Sequence, residues 1–457
     1  MKKLSFTVIL AVIISFPSVT QSSPEQVVKS IFNEALTSNE AYENLRFLCK
    51  NTAGRIAGTF EAAAAVEFTR QVMEEMDISR VFLQKVTVPH WERGTVEFGN
   101  IVSSQFGSLK VPVSALGASP GTGKNGVISQ IVEVKSIGEL ETLGVENIKG
   151  KIVFFNRPMD PTLENTFSAY GGAVGQRTAG PAAAAKFGAT GVVVRSLTMA
   201  HDNVPHTGVT RYNENGPYIP AVAISTNGAD TLSRWLETDT ELKFHFFTNC
   251  KNYPETESAN VVGEIKGTVF PDEIITIGGH LDAWGPGEGA HDDGGGCIQS
   301  IEVLRLFKVL GIKPKRTIRA VMFMDEEMAQ SGAIEYARWA EEHHEKHYAA
   351  LESDRGVLSP VGFGFSAEGE RLENLYELKK HFEPYGIHWF KQGGGGADIG
   401  PLRRFGTLLI SYIPDTQRYF NYHHSANDSF ETVNHRELQL GSAAIASLIY
   451  LIDLYDL

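Results

Sequence analysis

The stretch Glu273–Gly311, "EIITIGGHLDAWGPGEGAHDDGGGCIQSIEVLRLFKVLG", changes character twice along its length. Its first part, "EIITIGGH", is short, apolar and rich in β-branched residues, which reads as a buried strand. Its last part, "CIQSIEVLRLFKVLG", spaces its apolar residues as a helix does. Between them lies a glycine-rich segment with a histidine, three aspartates and a glutamate, next to the His280 that ends the strand. Glycine normally frees a backbone, whereas polar side chains so crowded need fixed partners. Strand, loop and helix in this order make one unit of an alternating α/β chain.

The unit repeats on both sides. "NVVGEIKG" (260–267) and "RTIRAVMFM" (316–324) read as strands, "GAIEYARWAEEHHEKH" (332–347) as a helix, and "HYAALESD" (347–354) as another strand end. The expected fold class is α/β, a mixed and largely parallel central sheet flanked by helices. Ligands of such sheets sit at the carboxyl ends of the strands, so His280, Glu326, Glu327 and Asp354 should meet there. Residues 111–248 differ: short apolar strands such as "GKIVFFN" and "GVVVRS" alternate with glycine-rich turns and one alanine-rich helix. They read as a compact β-rich inserted domain, which divides the main domain into residues 23–110 and 249–457.

Lys2 and Lys3, then "FTVILAVIISF" and the small residues of "PSVTQSS", follow the order of a secretory signal peptide, assigned to residues 1–22. No second long apolar segment is read, so a soluble, exported protein is expected, secreted or periplasmic. A net charge of −13 argues against nucleic acid or an anionic membrane as the partner. Cys49, Cys250 and Cys297 allow at most one bridge.

The strand ends carry the chemistry. His280 and Asp282 close one strand, Asp325, Glu326 and Glu327 a second, Glu352 and Asp354 a third, and "YFNYHHSAND" (419–428) adds His423, His424 and Asp428. Imidazoles and carboxylates converging on one sheet edge call for a divalent cation, and N/O donors of this kind suit zinc, or cobalt or manganese. Two imidazoles and three carboxylates suit two ions, with Asp292 shared between them. The other histidine cluster, "EEHHEKH", places His343 and His347 four apart on the expected helix. Its flanking acids and lysine read as a solvated face, and no site is expected there.

In order, "GGHLDAW…GEGAHDDGGG", "DEEMAQSGA", "LESDRG", "GGGGADIGPL" and "FNYHHSANDS" resemble the di-zinc metallopeptidases of family M28, most of all their carboxypeptidase Q branch. The resemblance spans essentially the whole mature chain and implies the zinc exopeptidase fold. "IKGKIVFFNRPM" (148–159) lies in what resembles that branch's protease-associated domain. The resemblance implies two zinc ions per chain. His280 and Asp354 would bind one, Glu327 and His424 the other, and Asp292 both. His423 or His424 depends on register, and the family's spacing to Asp428, placed behind the ligand, points to His424. Glu326 is then the general base, and Asp282 accepts the second ring N–H of His280. Tyr422 and Asp398 are candidates for substrate contact, and Asp293 for a helix cap. Glu352 is expected behind the site or solvated, Asp325 adds charge beside the base, and His206 faces the cleft or is structural. Substrates would be dipeptides or short peptides, and the assembly a homodimer. An aminopeptidase acting on longer peptides is the nearest alternative; a glutaminyl cyclase-like enzyme and a receptor-like protein are more distant ones.

Overall fold

The computed structural model describes residues 23–457, so the expected signal segment lies outside the described residues. Its main sheet has eight strands, in spatial order Arg80–Glu92, Lys251–Ile265, Arg316–Phe323, Phe270–His280, Lys346–Glu352, Leu408–Pro414, Pro360–Phe365 and Trp389–Gln392. The four from Arg316–Phe323 to Leu408–Pro414 run parallel, while both flanks include antiparallel pairs. The mixed, largely parallel sheet is as expected.

Successive residues of the parallel strands enter opposite cores, because strand side chains alternate faces. Ile318, Ala320 and Met322 pack with the helices Pro24–Thr37, Gly295–Val309 and His435–Tyr455. Val321 and Phe323 face Tyr336 and Ala337 of the helix Ser331–Glu342. Burial on both faces is why these strands read as continuous apolar runs.

A second eight-stranded sheet draws on residues 97–248 and is also mixed, with helices on its faces. It takes in Glu97–Ser103 and Gly107–Val111, so it begins before residue 111, and four of its strands run parallel. In the long antiparallel pair of the main sheet, Glu92 lies opposite Lys251. The chain therefore leaves the main sheet and returns to it at one point.

Two sequence expectations need correction. The helix expected over 332–347 stops at Glu342, and Lys346–Glu352 is a strand. His347 is thus buried, with Nδ1 3.0 Å from Thr276 Oγ1 and Nε2 3.3 Å from Glu345, and is neither helical nor on a solvated face. The second correction concerns His435–Tyr455, a further apolar segment long enough to cross a bilayer. Most of it is buried against the helices Pro24–Thr37 and Gly295–Val309, as a core helix. All three cysteines are buried free thiols, which agrees with the expectation of at most one bridge.

Candidate metal centre

His280 is the last residue of a central strand, and the glycine-rich loop doubles back beneath it. Gly279 and Gly296 permit that approach. A Cβ on Gly279 would lie 2.2 Å from Asp293 Oδ2, and one on Gly296 1.8 Å from the Ser353 carbonyl. Asp293 accepts hydrogen bonds from the His280 amide (3.1 Å) and the Gly296 amide (3.0 Å), tying the strand end to the helix start. It thus has a structural role at the helix start, one residue before the N-cap Gly294.

Asp292 sits between two histidines. Its Oδ1 is 3.1 Å from His280 Nε2 and its Oδ2 3.2 Å from His424 Nε2. Asp354 lies 3.7 Å from the same nitrogen of His280, and Glu327 3.0 Å from that of His424. His280 Nδ1 is 2.9 Å from the Asp282 carbonyl, which can only accept, so Nδ1 is the donor and Nε2 is the atom left for a cation. His424 Nδ1 faces the Thr207 carbonyl at 3.3 Å, with Arg177 Nη1 equally near. His423 stacks on His424, with ring centroids 3.6 Å apart, and its Nε2 is 3.7 Å from Asp292. Only His424 of the pair is also close to Glu327.

These groups are nearly all buried. Burial opposes charge on Asp292, yet His280 and His424 hold its carboxyl well below the usual range. Burial likewise opposes charge on His424, but Glu327 and Asp292 push it up to about 9. Burial itself raises Glu326 to about 8; His280 opposes the shift, while Asp354 and Glu327 add to it. Asp292 Oδ2 and Glu327 Oε1 accept no hydrogen bond among the described residues. A buried acid-rich cluster with such unused oxygens and two oriented imidazoles suits divalent cations.

Three buried carboxylates do something the sequence reading did not foresee. The Asp282 carboxylate is 3.8 Å from His280 Nδ1 and instead accepts the backbone amides of Asp325 (2.8 Å), Glu326 (3.1 Å) and Glu327 (3.3 Å). It fixes the turn that carries Glu326 and Glu327, and meets His280 through its carbonyl. Asp428 does not stand behind His424; it accepts the amides of Ala290 (3.1 Å), His291 (2.7 Å) and Asp292 (3.1 Å). Glu352, buried rather than solvated, accepts those of Ala397, Asp398 and Ile399 at 2.8–2.9 Å.

The remaining candidates are placed as follows. Asp325 accepts from Ser331, the first residue of the helix Ser331–Glu342. Tyr422 stacks on His291 at 4.7 Å, and Asp398 is buried beyond Glu352; neither lines the cavity above the cluster. His206 Nδ1 donates to the His423 carbonyl at 2.7 Å, a structural link from the second sheet. Glu288 pairs with Lys50 and accepts the Phe430 amide. The cavity, about 280 Å³, is lined by Asp292, Glu326, Glu327 and Asp354 together with Tyr170 and Arg177 from the second-sheet segment.

The comparisons with known proteins follow this geometry. The model of peptidase family M28 matches residues 260–449. Carboxypeptidase Q of Mus musculus is 31% identical over 431 residues, 94% of this chain and 89% of its own length, and that of Xenopus laevis 34% identical over 411 residues, 89% and 85%. The chain belongs to peptidase family M28. It is a metallo-exopeptidase of that family. The crystal structure of an M28 peptidase precursor from Shewanella amazonensis superposes on it with a TM-score of 0.89 at 31% identity, covering 94% of this chain and 96% of that one. A zinc aminopeptidase from Bacillus subtilis shares the fold, with a TM-score of 0.65 at 18% identity over 91% of this chain and 95% of its own.

In this M28 peptidase the sequence reading missed two residues. Trp284 donates its indole N–H to Glu327 Oε2 and so orients that carboxylate. Arg55, from "TAGRIAGT", is fully buried and donates to the carbonyls of Leu281 (2.6 Å), Glu288 (2.6 Å) and Gly289 (2.8 Å). Its one available signal was an arginine between glycines, which names no partner.

Proposed function

We propose that the chain is an exported di-zinc exopeptidase that hydrolyses dipeptides or short peptides with free termini. The observation that carries it is the Asp292 carboxylate, whose two oxygens face two different histidine-centred groups of donors. His280 and Asp354 would hold one ion and Glu327 and His424 the other, with Asp292 common to both. Zinc is favoured by the donor set. When bound, two such ions supply a Lewis acid for the scissile carbonyl and lower the pKa of the attacking water.

The chain's own groups do the rest. Glu326 stands on the same turn as Glu327, but its one side-chain partner among the described residues is Gln330, at 3.5 Å. It is free to take the water's proton and return it to the leaving amine. Burial raises its pKa, which favours its holding the proton between taking it and returning it. Asp282 holds this turn in place, and Tyr170 and Arg177 wall the cavity from the second-sheet side. The protease-associated identity of that segment and the homodimer rest on the sequence resemblance, as export rests on the character of residues 1–22.

Zinc-loaded protein should cleave dipeptides, lose that activity to a chelator, contain about two zinc ions per chain and slow as peptides lengthen. Activity that rises with peptide length would instead make the enzyme an aminopeptidase on longer chains.

Asp428 offers a separate check on the bridge. Asp428→Asn removes an acceptor and sets an amide against the loop amides, so zinc affinity should fall about 10- to 100-fold, as for other groups that orient ligands. Competition with a chromophoric chelator measures this; unchanged affinity would show that the loop holds Asp292 without it.

A further inference from the structure

Beside the cavity over the acid cluster lies a larger one, about 860 Å³, and the two share Val209, Arg211 and Gln330 as lining residues. The larger cavity is mainly apolar, its wall including Pro89, Pro120, Met328, Tyr212 and Tyr218. Two arginines line the smaller one. Arg177 is buried and committed, donating to Tyr170 Oη (2.7 Å) and the Thr207 carbonyl (3.1 Å). Arg211 is exposed, and among the described residues its guanidinium has neither an ion pair nor a hydrogen bond. Its backbone is anchored, the amide donating to the Thr178 carbonyl at 2.8 Å. An unpaired guanidinium thus stands at the boundary between a carboxylate-lined chamber and an apolar one.

We infer that Arg211 receives the free α-carboxylate of the substrate's C-terminal residue, and that the larger cavity takes that residue's side chain, favouring apolar and aromatic ones. The inference rests on the exopeptidase reading above and adds a substrate class to it. With the scissile carbonyl over the acid cluster, the next residue lies about 3.8 Å further along the chain, measured between α-carbons. In a dipeptide that residue is the last, so its carboxylate lies one residue from the scissile carbonyl, and Arg211 lines the same cavity as the acid cluster. A planar guanidinium is suited to a carboxylate because it can donate two parallel hydrogen bonds. Tyr212 and Tyr218, with ring centroids 5.4 Å apart, form an aromatic wall for the side chain.

The test compares Ala-Phe with Ala-Phe-amide, and with Ala-Gly, in zinc-loaded wild type and in Arg211→Met. Zinc content of the variant, measured alongside, reports that the site is intact. In the wild type the free acid should be cleaved with a kcat/KM about tenfold or more above that of the amide. Arg211→Met should erase that ratio, mainly through a higher KM for the acid, and leave the Phe-over-Gly preference. Tyr218→Ala should lower the Phe-over-Gly ratio and keep the acid-over-amide one. If Arg211→Met keeps the wild-type acid-over-amide ratio, the inference is overturned while the peptidase reading stands. Zinc-loaded wild type that cleaves no peptide would overturn both.

Discussion

Glu326→Gln should keep about two zinc ions while kcat/KM for a dipeptide falls about a thousandfold or more, the scale expected for losing a general base. That is roughly 4 kcal/mol of transition-state stabilisation. The substitution conserves shape, and the clamp from Asp282 grips the backbone of residues 325–327, so the turn should be unchanged. The neighbouring Glu327→Gln should behave oppositely. Its carboxylate lies 3.0 Å from His424 Nε2 and accepts from Trp284, so its loss should lower zinc content first. Metal analysis and steady-state kinetics on the pair separate base from ligand. A Glu326→Gln enzyme with full activity would remove this residue from the mechanism.

Arg55→Met should destabilise the fold by about 4 kcal/mol, because three buried carbonyls lose a charged donor together and nothing replaces it. The loss is local in origin. The three carbonyls lie on the segment between His280 and Asp292, so zinc binding should weaken with stability. Arg55→Lys keeps the charge but cannot present three separate donor directions from one planar fork, and should recover part of the loss. Chemical denaturation of the metal-free proteins measures the effect. A change within about 1 kcal/mol would mean that the loop is held by its glycines and by Asp428 alone.

Much of the fold was legible because both signals it depends on are local. Continuous apolar runs marked the parallel strands, and helical spacing marked the helix Gly295–Val309. The misreadings have local causes too. "EEHHEKH" carries enough charge to look like a solvated helix, yet at Lys346 the chain joins the sheet, and His347 is covered by Tyr336 and paired with Thr276. The span His435–Tyr455 opens with "HRELQLG", whose polar residues masked the apolar helix behind them.

The roles of the acids were less legible. Asp282, Asp428 and Glu352 look in sequence like any acid near a metal, and each instead grips three backbone amides of another segment. Taken alone, the sequence determined the strand–loop–helix order, the family resemblance, and which residue types gather at the strand ends. Those follow from periodicity and residue chemistry, which a chain carries with it. Only the tertiary structure decided which acid faces the histidine cluster and which faces an amide. It also showed that His424 rather than His423 lies close to Glu327, that Arg55 anchors the loop, and that the Arg211 guanidinium has no partner among the described residues. Such facts depend on distances between segments tens to hundreds of residues apart, and sequence spacing does not encode those distances.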